Sequence, residues 1–417
     1  MKKVLILAYH FPPNNSIGSQ RPYSWYQHFI KNQLYPIIIT RHWHNNINSE
    51  IECIKSTINQ NIENIKDENG TIIRIPHNPN LRDKILIKYG KDKKILLRKF
   101  LTIFYSFFEF KFKKFDSKIS IYYEAEKYIK QNKINCIIAT GEPFILFKYA
   151  SKLSKKYSIP WIADYRDEWI KRNNSIILKP FYKILEKQLL SNCDKIISAS
   201  PNYSKNLEKN LGKKVTTITN GYDDSINFKN DPIINPYFEI SYVGTLYSFQ
   251  PIESFFSVLN SFVEKLNIEI IFSFYGTGFY PENWERVEKI KISSKIKIIK
   301  HDRLPKVDLL NNLRKSSILL LLTTPNFITL AGKTFDYLIA KRPILLFKND
   351  FSVLEKIILD CKSGYVCKNE QEVFLTLKKS YGLWIKHKIV PCNTSDIEKY
   401  SRKNLTKKYV SIINKIN

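Results

Sequence analysis

The chain has 417 residues, and 67 Lys and Arg against 38 Asp and Glu give it a formal net charge of +29. Its length exceeds what one hydrophobic core usually fills, which predicts two domains, and 43% hydrophobic residues with only 12 Gly and 18 Pro exclude a disordered or fibrous chain. The positive charge implies an acidic partner, which could be nucleic acid, an anionic membrane surface or a phosphorylated ligand, although a biased genome could also enrich lysine.

No apolar run approaches the roughly 18 residues that a membrane span needs. The apolar start of the chain, Met1 to Leu7, is too short for a signal peptide and is interpreted as a β-strand. The six cysteines form no Cys-x-x-Cys pair, which favours reduced structural thiols. We therefore expect a cytoplasmic protein that does not span a membrane.

Short β-type runs alternate with amphipathic segments of helical length, a pattern typical of parallel α/β sheets. The predicted strands of the first half are 4–9, 36–40, 71–75, 135–140, 161–165, 195–199 and 215–219, and the predicted helices are 21–31, 119–131, 143–156 and 179–190. Turn-forming residues between Asn220 and Pro236 predict a boundary.

After this boundary the alternation begins again. The predicted strands are 239–243, 269–275, 295–300, 318–322, 344–347 and 364–367, the predicted helices are 251–266, 307–314, 333–340 and 351–359, and a basic helix is predicted at 397–416. The fold class is therefore α/β, with two Rossmann-like doubly wound domains at 1–225 and 226–395 and a last segment at 396–417. Ligands of such sheets bind at the carboxyl ends of the strands, so a cleft between the domains is the expected site.

Three glycine turns follow predicted strands. Gly18 comes after the first strand, and Pro22 then suits the first turn of a helix whose free N–H groups could bind an anion. Gly244 and Gly276 stand in the same way at the start of the second domain. Each could also be an ordinary loop glycine, but the two turns of the second domain together predict a binding rim.

Charged residues follow two other strands. Lys333 and Asp336 lie at the start of a helix, where N–H groups and the lysine could hold the phosphates of a nucleoside diphosphate and the carboxylate could hold the ribose hydroxyls. Asp164, Arg166 and Asp167 end a predicted strand and are candidates for acceptor positioning or proton transfer. The alternative in both places is a structural ion pair. Glu142, after the strand at 135–140, is a further acceptor candidate.

The segment 84–116 is both basic and aromatic. Its phenylalanines fall mostly at helical spacing among lysines, which fits shallow docking on an anionic bilayer, with Lys99, Phe104, Phe108 and Lys111 as the contacts. A helix that faces the core is the alternative. Nucleic acid is not an expected partner, because it would need aromatic rings displayed singly for stacking.

A metal site and a serine hydrolase are not supported by the sequence. His42 and His44 have no Cys or His partners at zinc spacing, and no Gly-x-Ser-x-Gly motif occurs.

Several motifs occur together in one order along the chain. They are Ala8–Pro13 with Gly18–Pro22, Trp161–Trp169, Ile218–Asp223, Tyr242–Leu246 and Gly332–Leu338. On these motifs the chain resembles glycosyltransferase family 4-type enzymes of the GT-B fold, in the bacterial surface-polysaccharide branch. The resemblance covers nearly the whole chain, including a C-terminal helix that crosses back to the first domain.

The resemblance implies a retaining, metal-independent transfer from a UDP- or GDP-linked sugar, which is a substrate and not a cofactor. The second domain would hold this donor, and the first domain would hold the acceptor. Lys333 would lie near the diphosphate, Asp336 at the ribose, Gly244 and Thr245 near the phosphates and Gly276 near the base. Gly18 would form a diphosphate-facing turn, and Arg166 and Asp167 fall where related enzymes have an active-site histidine.

Two departures from the family pattern affect the donor site. The family usually has two glutamates separated by seven residues, whereas this chain has Ile328 and Asp336 at those positions. The Arg and Lys that often follow the second domain's glycine turn are absent from 247–250. Lys333, Arg303 and Arg21 are the candidates to supply the missing phosphate contacts.

We therefore expect a peripheral membrane glycosyltransferase on the inner face of the cytoplasmic membrane. It would extend a lipid-linked glycan in the biosynthesis of a surface polysaccharide such as lipopolysaccharide or capsule. The alternatives are a nucleotide-sugar epimerase, which would need a pair of carboxylates, and a nucleotide-sugar- or glycan-binding module without turnover.

Overall fold

The computed structural model describes residues 1–14, 16–44, 49–172, 178–226, 233–325 and 330–416. The chain divides into two compact units. The first unit contains Met1–Thr219 and Arg402–Asn417, and the second contains Asn220–Ser401. The predicted domain boundaries, after residues 225 and 395, lie a few residues from the boundaries of these units.

The first unit is built on an eight-stranded sheet. Its strands are β1 (Lys2–Ala8), β2 (Leu34–Arg41), β3 (Glu63–Asp67), β4 (Gly70–Ile75), β5 (Cys136–Gly141), β6 (Trp161–Tyr165), β7 (Lys195–Ser198) and β8 (Val215–Thr217). They lie in the order β3-β4-β2-β1-β5-β6-β7-β8, and every adjacent pair is parallel except β3 with β4.

Helices connect these strands and cover the sheet. They are α1 (Ile17–His28), α2 (Glu50–Ile54), α3 (Leu81–Tyr89), α4 (Ile95–Phe108), α5 (Ile119–Gln131), α6 (Ile145–Tyr157), α7 (Trp169–Arg172), α8 (Lys179–Leu189) and α9 (Pro201–Leu211). The central strands β1, β5 and β6 are buried almost throughout, because a parallel sheet is covered on both faces and its strands are continuously apolar.

The second unit is built on a six-stranded, wholly parallel sheet. Its strands are β9 (Glu239–Val243), β10 (Ile270–Tyr275), β11 (Ile296–His301), β12 (Ile318–Leu322), β13 (Ile344–Phe347) and β14 (Gly364–Cys367), in the order β11-β10-β9-β12-β13-β14. Its helices are α10 (Ile252–Leu266), α11 (Pro281–Glu288), α12 (Lys306–Leu313), α13 (Lys333–Ala340), α14 (Val353–Asp360) and α15 (Glu370–His387).

The last helix, α16 (Arg402–Asn414), belongs to the first unit. Its buried side chains Leu405, Tyr409 and Ile413 join the same apolar cluster as Val4 and Trp25. The predicted return of the C-terminal helix to the first domain is therefore confirmed. The predicted helix at 397–416 is not continuous, because a short 3-10 turn occupies Ile397–Tyr400.

The apolar segments were predicted most closely. The bounds of β6, β9, β12, β13, β14, α5 and α13 agree with the predicted ones. The sequence did not indicate β3, the antiparallel edge strand, because it is polar and mostly exposed and so lacks the apolar alternation of a strand. Helices α2, α3, α7, α9, α11 and α15 were also not predicted.

Each sheet has one point where the strand order reverses. In the first sheet this switch lies between β1 and β5, and in the second it lies between β9 and β12. Loops that leave the carboxyl ends of these strands diverge to opposite faces, which opens a crevice for ligands. Gly18 and Glu142 follow the first pair of strands, and Gly244 and Lys333 follow the second pair.

Candidate functional site

The glycine turn after β1 lies directly against Arg166. A Cβ on Gly18 would stand 2.9 Å from Cζ of Arg166 and would overlap its Nη1. Two backbone carbonyls hold the guanidinium. Its Nε donates to the Gly141 carbonyl at 2.8 Å, and its Nη2 donates to the Glu142 carbonyl. Gly18 and Arg166, which the sequence placed in one functional region, therefore meet at the switch point of the first sheet.

Arg21 and Asp164 form a buried ion pair. Nε and Nη2 of Arg21 donate to the Asp164 carboxylate at 2.8 to 3.1 Å, Thr140 donates to the same carboxylate at 2.9 Å, and the Tyr409 hydroxyl of α16 contacts both charges. Burial acts to lower the pKa of Arg21, but the charges and hydrogen bonds of Asp164 and Tyr409 together outweigh it and the pKa is raised. Because both charges are satisfied inside the first unit, neither residue enters the proposed ligand site.

A cluster of rings and cations stands at the carboxyl ends of β1 and β2. Arg41 donates to the Tyr9 hydroxyl at 2.8 Å and lies 4.1 Å from the Trp43 ring centroid. Burial, followed by the charges of Arg41 and Lys118, lowers the pKa of His77 to about 3. This histidine is therefore neutral at physiological pH, and the sequence gave no sign of it because its neighbours come from separate strands.

The glycine turn after β9 leaves open space. Gly244 has φ +80°, and its N–H donates to the Tyr275 carbonyl at 2.7 Å. Apart from its chain neighbours, no described residue has an atom within 4 Å of where its Cβ would be. The carbonyl of Thr245 accepts from the Tyr242 hydroxyl at 2.8 Å. The backbone at Gly244 can thus approach a ligand in a conformation that favours glycine.

The next glycine turn, after β10, brings together two residues that were predicted for the donor site. Gly276 has φ +69° and its N–H donates to the His301 carbonyl at 2.9 Å. A Cβ on Gly276 would lie 3.1 Å from Cγ of Arg303, whose guanidinium lies 3.3 Å from the Phe279 ring centroid. The two residues come from neighbouring strands, β10 and β11, which explains why they are adjacent.

Lys333 has a buried side-chain nitrogen. Its stem is partly accessible, but Nζ is buried and has no hydrogen-bond partner among the residues that the structure describes. Nζ lies 3.8 Å from the Tyr242 ring centroid. Burial lowers the pKa of this lysine to about 7, so a bound anion would stabilise its charged form.

Lys333 is held in place by the packing of α13. The Tyr337 hydroxyl accepts from the Val243 N–H at 3.1 Å and donates to the Leu320 carbonyl at 3.2 Å, which ties the helix to β9 and β12. Phe335 and Leu338 are buried on the same helix. The start of α13 therefore stands beside the switch point of the second sheet.

Asp336 forms an ion pair with Lys306 of α12. The side chains are 15% and 30% exposed, so a ligand can still reach the carboxylate. The sequence did not indicate Lys306, because its contact with Asp336 depends on how two helices pack. Ile328, the other position of the family's carboxylate pair, lies outside the described residues.

The loop after Gly244 carries aromatic side chains where the family often has cations. The buried Gln250 side chain accepts from the Tyr247 N–H at 2.9 Å and donates to the Leu322 carbonyl at 2.8 Å. Arg286 of α11 donates to the Tyr247 and Gln250 carbonyls at 2.8 and 2.7 Å. This arginine supports the backbone of the loop, and the sequence did not indicate it.

Helix α4 exposes a different apolar face from the one predicted. Leu96, Phe100 and Ile103 are 82%, 63% and 50% exposed, at helical spacing. Phe104 and Phe108 instead pack against each other and against Phe115. Lysines at 91, 93, 94, 99, 111, 113 and 114 are exposed around this segment. Across the described part of the chain, no helix is long and apolar enough to span a bilayer.

The remaining predicted site residues are less informative. Asp167 follows Arg166 in the chain, Glu142 accepts from Arg166 through its carbonyl, and both side chains are half-buried. The described residues contain no group of three or more His, Cys, Asp or Glu side chains arranged to hold a metal ion.

Comparisons with known proteins identify the fold. Residues 86–226 match the family model described as Glycosyltransferase Family 4. The comparison with curated proteins finds no match. Many solved structures are similar over almost the full length, and three of them illustrate the range.

The trehalose-6-phosphate synthase OtsA has a TM-score of 0.65 at 12% identity and covers 100% of both chains. A glycosyltransferase from Rickettsia africae has a TM-score of 0.56 at 15% identity, covering 100% of this chain and 98% of the other. S. aureus TarM, in a complex that contains UDP, has a TM-score of 0.57 at 12% identity, covering 99% of this chain and 100% of the other. Such low identities show the fold alone.

The family match confirms the predicted resemblance to glycosyltransferase family 4 over residues 86–226, and the similar structures confirm the predicted GT-B fold for the chain.

Proposed function

We propose that this protein is a retaining glycosyltransferase that moves a sugar from a nucleotide-sugar to a lipid-linked glycan. In this reaction the bond between the anomeric carbon and the diphosphate breaks, a glycosidic bond to an acceptor hydroxyl forms, and the acceptor proton leaves with the diphosphate or with solvent. The product would be part of a bacterial surface polysaccharide such as lipopolysaccharide or capsule.

The observation that carries this proposal is the buried ammonium of Lys333. A buried ammonium without a partner lowers the stability of the folded protein. Such a group is therefore typical of a site where a bound ligand supplies the opposite charge. The diphosphate of a nucleotide-sugar supplies the missing negative charge at the start of α13, where the helix dipole also favours an anion.

Other residues of the second unit fit the rest of a nucleotide donor. The open backbone at Gly244 and Thr245 admits phosphate, and the accessible carboxylate of Asp336 suits ribose hydroxyls. Arg303 beside Gly276 adds a second cation on the same edge of the sheet. The proposal needs no metal, because these cations and N–H groups can stabilise the leaving diphosphate.

The first unit would bind the acceptor. Arg166, fixed by the carbonyls of Gly141 and Glu142, presents a positive charge at the switch point, and Asp167 follows it. We assign to Arg166 the stabilisation of negative charge that develops during transfer. The exposed apolar face of α4 and its lysines would hold the protein on the inner face of the cytoplasmic membrane, near a lipid-linked acceptor.

The testing experiment measures thermal unfolding with UDP, GDP, ADP and their common sugar conjugates in EDTA. We expect one nucleotide to raise the melting temperature, since a ligand that binds only the folded state stabilises it. Lys333→Met should abolish the rise, whereas Lys297→Met, which removes an exposed lysine of the same unit, should preserve it. Failure of every nucleotide to stabilise the wild-type protein in EDTA would contradict metal-independent donor binding.

Turnover distinguishes the proposed transferase from its rivals. A transferase releases nucleoside diphosphate only when acceptor is added, and a retaining one conserves the anomeric configuration of the donor in the product. Conversion of the nucleotide-sugar to an epimer without acceptor would favour an epimerase. Tight binding with neither reaction would favour a binding module.

A further inference from the structure

Two exposed aromatic rings lie parallel on the loop that follows Gly244. The Tyr247 and Phe249 rings have centroids 5.5 Å apart and planes inclined by only 5°. They are 53% and 41% exposed, although aromatic side chains are among the largest apolar groups of the chain. We call Tyr247 and Phe249 the aromatic pair.

The backbone under the aromatic pair is fixed. Leu246 on one side and Gln250 on the other are buried, and Gln250 links the loop to β9 and β12 through Tyr242 and Leu322. Arg286 reaches the loop from α11 and is itself held by two bonds of 2.6 Å to Glu253. A loop with this many contacts presents its side chains with little loss of conformational freedom on binding.

The aromatic pair stands where a ligand is expected. It begins three residues after Gly244, at the carboxyl end of β9 and beside the switch point of the second sheet. Space for a ligand adjoins Gly244 on the side where a Cβ would lie. The residues from Tyr247 to Gln250 carry no charge, so this loop is suited to an uncharged part of the ligand. The phosphates would be served by Lys333, not by this loop.

We propose that the aromatic pair is a stacking surface for a pyranose ring. One face of many pyranoses consists of C–H groups, which pack against the electron-rich face of an aromatic ring. The Tyr247 hydroxyl adds a donor and acceptor for sugar hydroxyls. Rigid exposed rings with one polar atom favour this ligand over an extended apolar chain. The inference rests on the proposed function for the presence of a sugar.

The pyranose can come from either substrate. It is the transferred sugar if the donor lies across the pair, and it is a glycan residue if the acceptor does. The chemistry is the same in both cases, so separate measurements with donor and acceptor analogues distinguish the two sources.

The experiment compares wild-type protein with the double variant Tyr247→Ala/Phe249→Ala by calorimetry. The first arm uses UDP and GDP and their glucose, N-acetylglucosamine and mannose conjugates. The second arm uses methyl glycosides of the same sugars, with the nucleotide present. The conservative variant Tyr247→Phe/Phe249→Tyr keeps both rings, and Tyr237→Ala removes a ring that is 60% exposed in the same unit.

We expect the double alanine variant to lose about tenfold in affinity for nucleotide-sugars or for glycosides, with free nucleotide unchanged. The conservative variant and Tyr237→Ala should bind as wild type. Loss of affinity for free nucleotide by the same factor would overturn the proposal, because the pair would then stack on the base. Equal binding of all ligands by the double variant would also overturn it.

The outcomes separate this inference from the proposed function. If wild-type protein binds no nucleotide, nucleotide-sugar transfer fails, while the glycoside arm still tests the stacking surface. If nucleotide binds and depends on Lys333 but the aromatic pair has no effect, only the stacking surface is wrong.

Discussion

Gly18 leaves the space that the Arg166 guanidinium occupies, since a Cβ at position 18 would overlap Nη1 and stand 2.9 Å from Cζ. Gly18 does not have a positive φ, so a Cβ at this position conflicts with the arginine side chain and not with the backbone conformation. The glycine is therefore explained by a residue 148 positions away in the sequence.

Gly18→Ala should displace Arg166 without preventing folding. If Arg166 stabilises charge in the reaction, turnover should fall about a hundredfold, as it does when one such donor is removed from an active site. The measurement is the acceptor-dependent release of nucleoside diphosphate. Arg166→Gln should produce a similar loss.

Gly382→Ala is the matched control for this change. Gly382 lies within α15, and outside the helix's own backbone no described residue has an atom within 4 Å of where its Cβ would be. We expect normal turnover and a gain of about 0.5–1 kcal/mol in stability, because alanine is the better helix former. Full activity of Gly18→Ala would contradict the role assigned to Arg166.

Asp164→Asn should strongly destabilise the first unit. The substitution leaves the buried Arg21 guanidinium without its countercharge, and breaking one side of a buried pair costs about 3–5 kcal/mol. The free energy of opening can be measured from hydrogen exchange of β1 and β6 amides. Glu63→Gln, in the more exposed pair with Arg74, should change stability by less than about 1 kcal/mol. Similar values for the two variants would show that the Arg21–Asp164 pair is unimportant.

Lys333 should make nucleotide binding pH-dependent. Its pKa is about 7 in the free protein, and a bound diphosphate raises the pKa by favouring the ammonium. Binding at pH 8 should therefore take up protons, and the affinity should fall as the pH rises above 7. Calorimetry in buffers of different ionisation enthalpy measures this uptake. Lys333→Met should remove it, and Lys297→Met should not; uptake that survives in Lys333→Met would assign it to another group.

The same lysine should affect stability without ligand. Burial lowers the pKa of Lys333 from 10.5 to about 7. Between these values the unfolded chain binds a proton that the folded chain does not, so folded stability contributed by this group rises with pH across the interval. Lys333→Met should flatten this part of the pH–stability curve. An unchanged curve would mean that Lys333 titrates normally.

Leu96→Ser/Phe100→Ser should weaken binding to anionic vesicles. Both side chains are exposed on α4, and each apolar side chain buried in a membrane contributes about 1.5–3 kcal/mol, so the partition coefficient should fall by more than tenfold. Sedimentation with phosphatidylglycerol and phosphatidylcholine vesicles measures the loss. Leu375→Ser, at a residue 57% exposed on α15, is the control. Membrane docking by α4 would be contradicted if the double variant bound vesicles as tightly as the wild-type protein and if added salt did not change the binding.

The sequence predicted much of the architecture because its information there is local. A continuous apolar run as short as Ile318–Leu322 indicates a buried strand when helical segments flank it, and its bounds were predicted correctly. Polar elements were missed when their stability comes from neighbours. The exposed strand β3 forms because β4 pairs with it, and nothing in its own residues indicates this.

The candidate site divides in the same way. The sequence alone determined which residues follow the carboxyl ends of strands, and therefore indicated Gly18, Gly244, Gly276 and Lys333 as members of two binding edges. Only the tertiary structure decided that Arg21 and Asp164 neutralise each other, that Lys306 pairs with Asp336 and that Phe104 packs inward while Leu96 is exposed. The physical reason is that pairing and burial depend on residues distant in the chain, and burial sets whether a charge such as Lys333 remains available for a ligand.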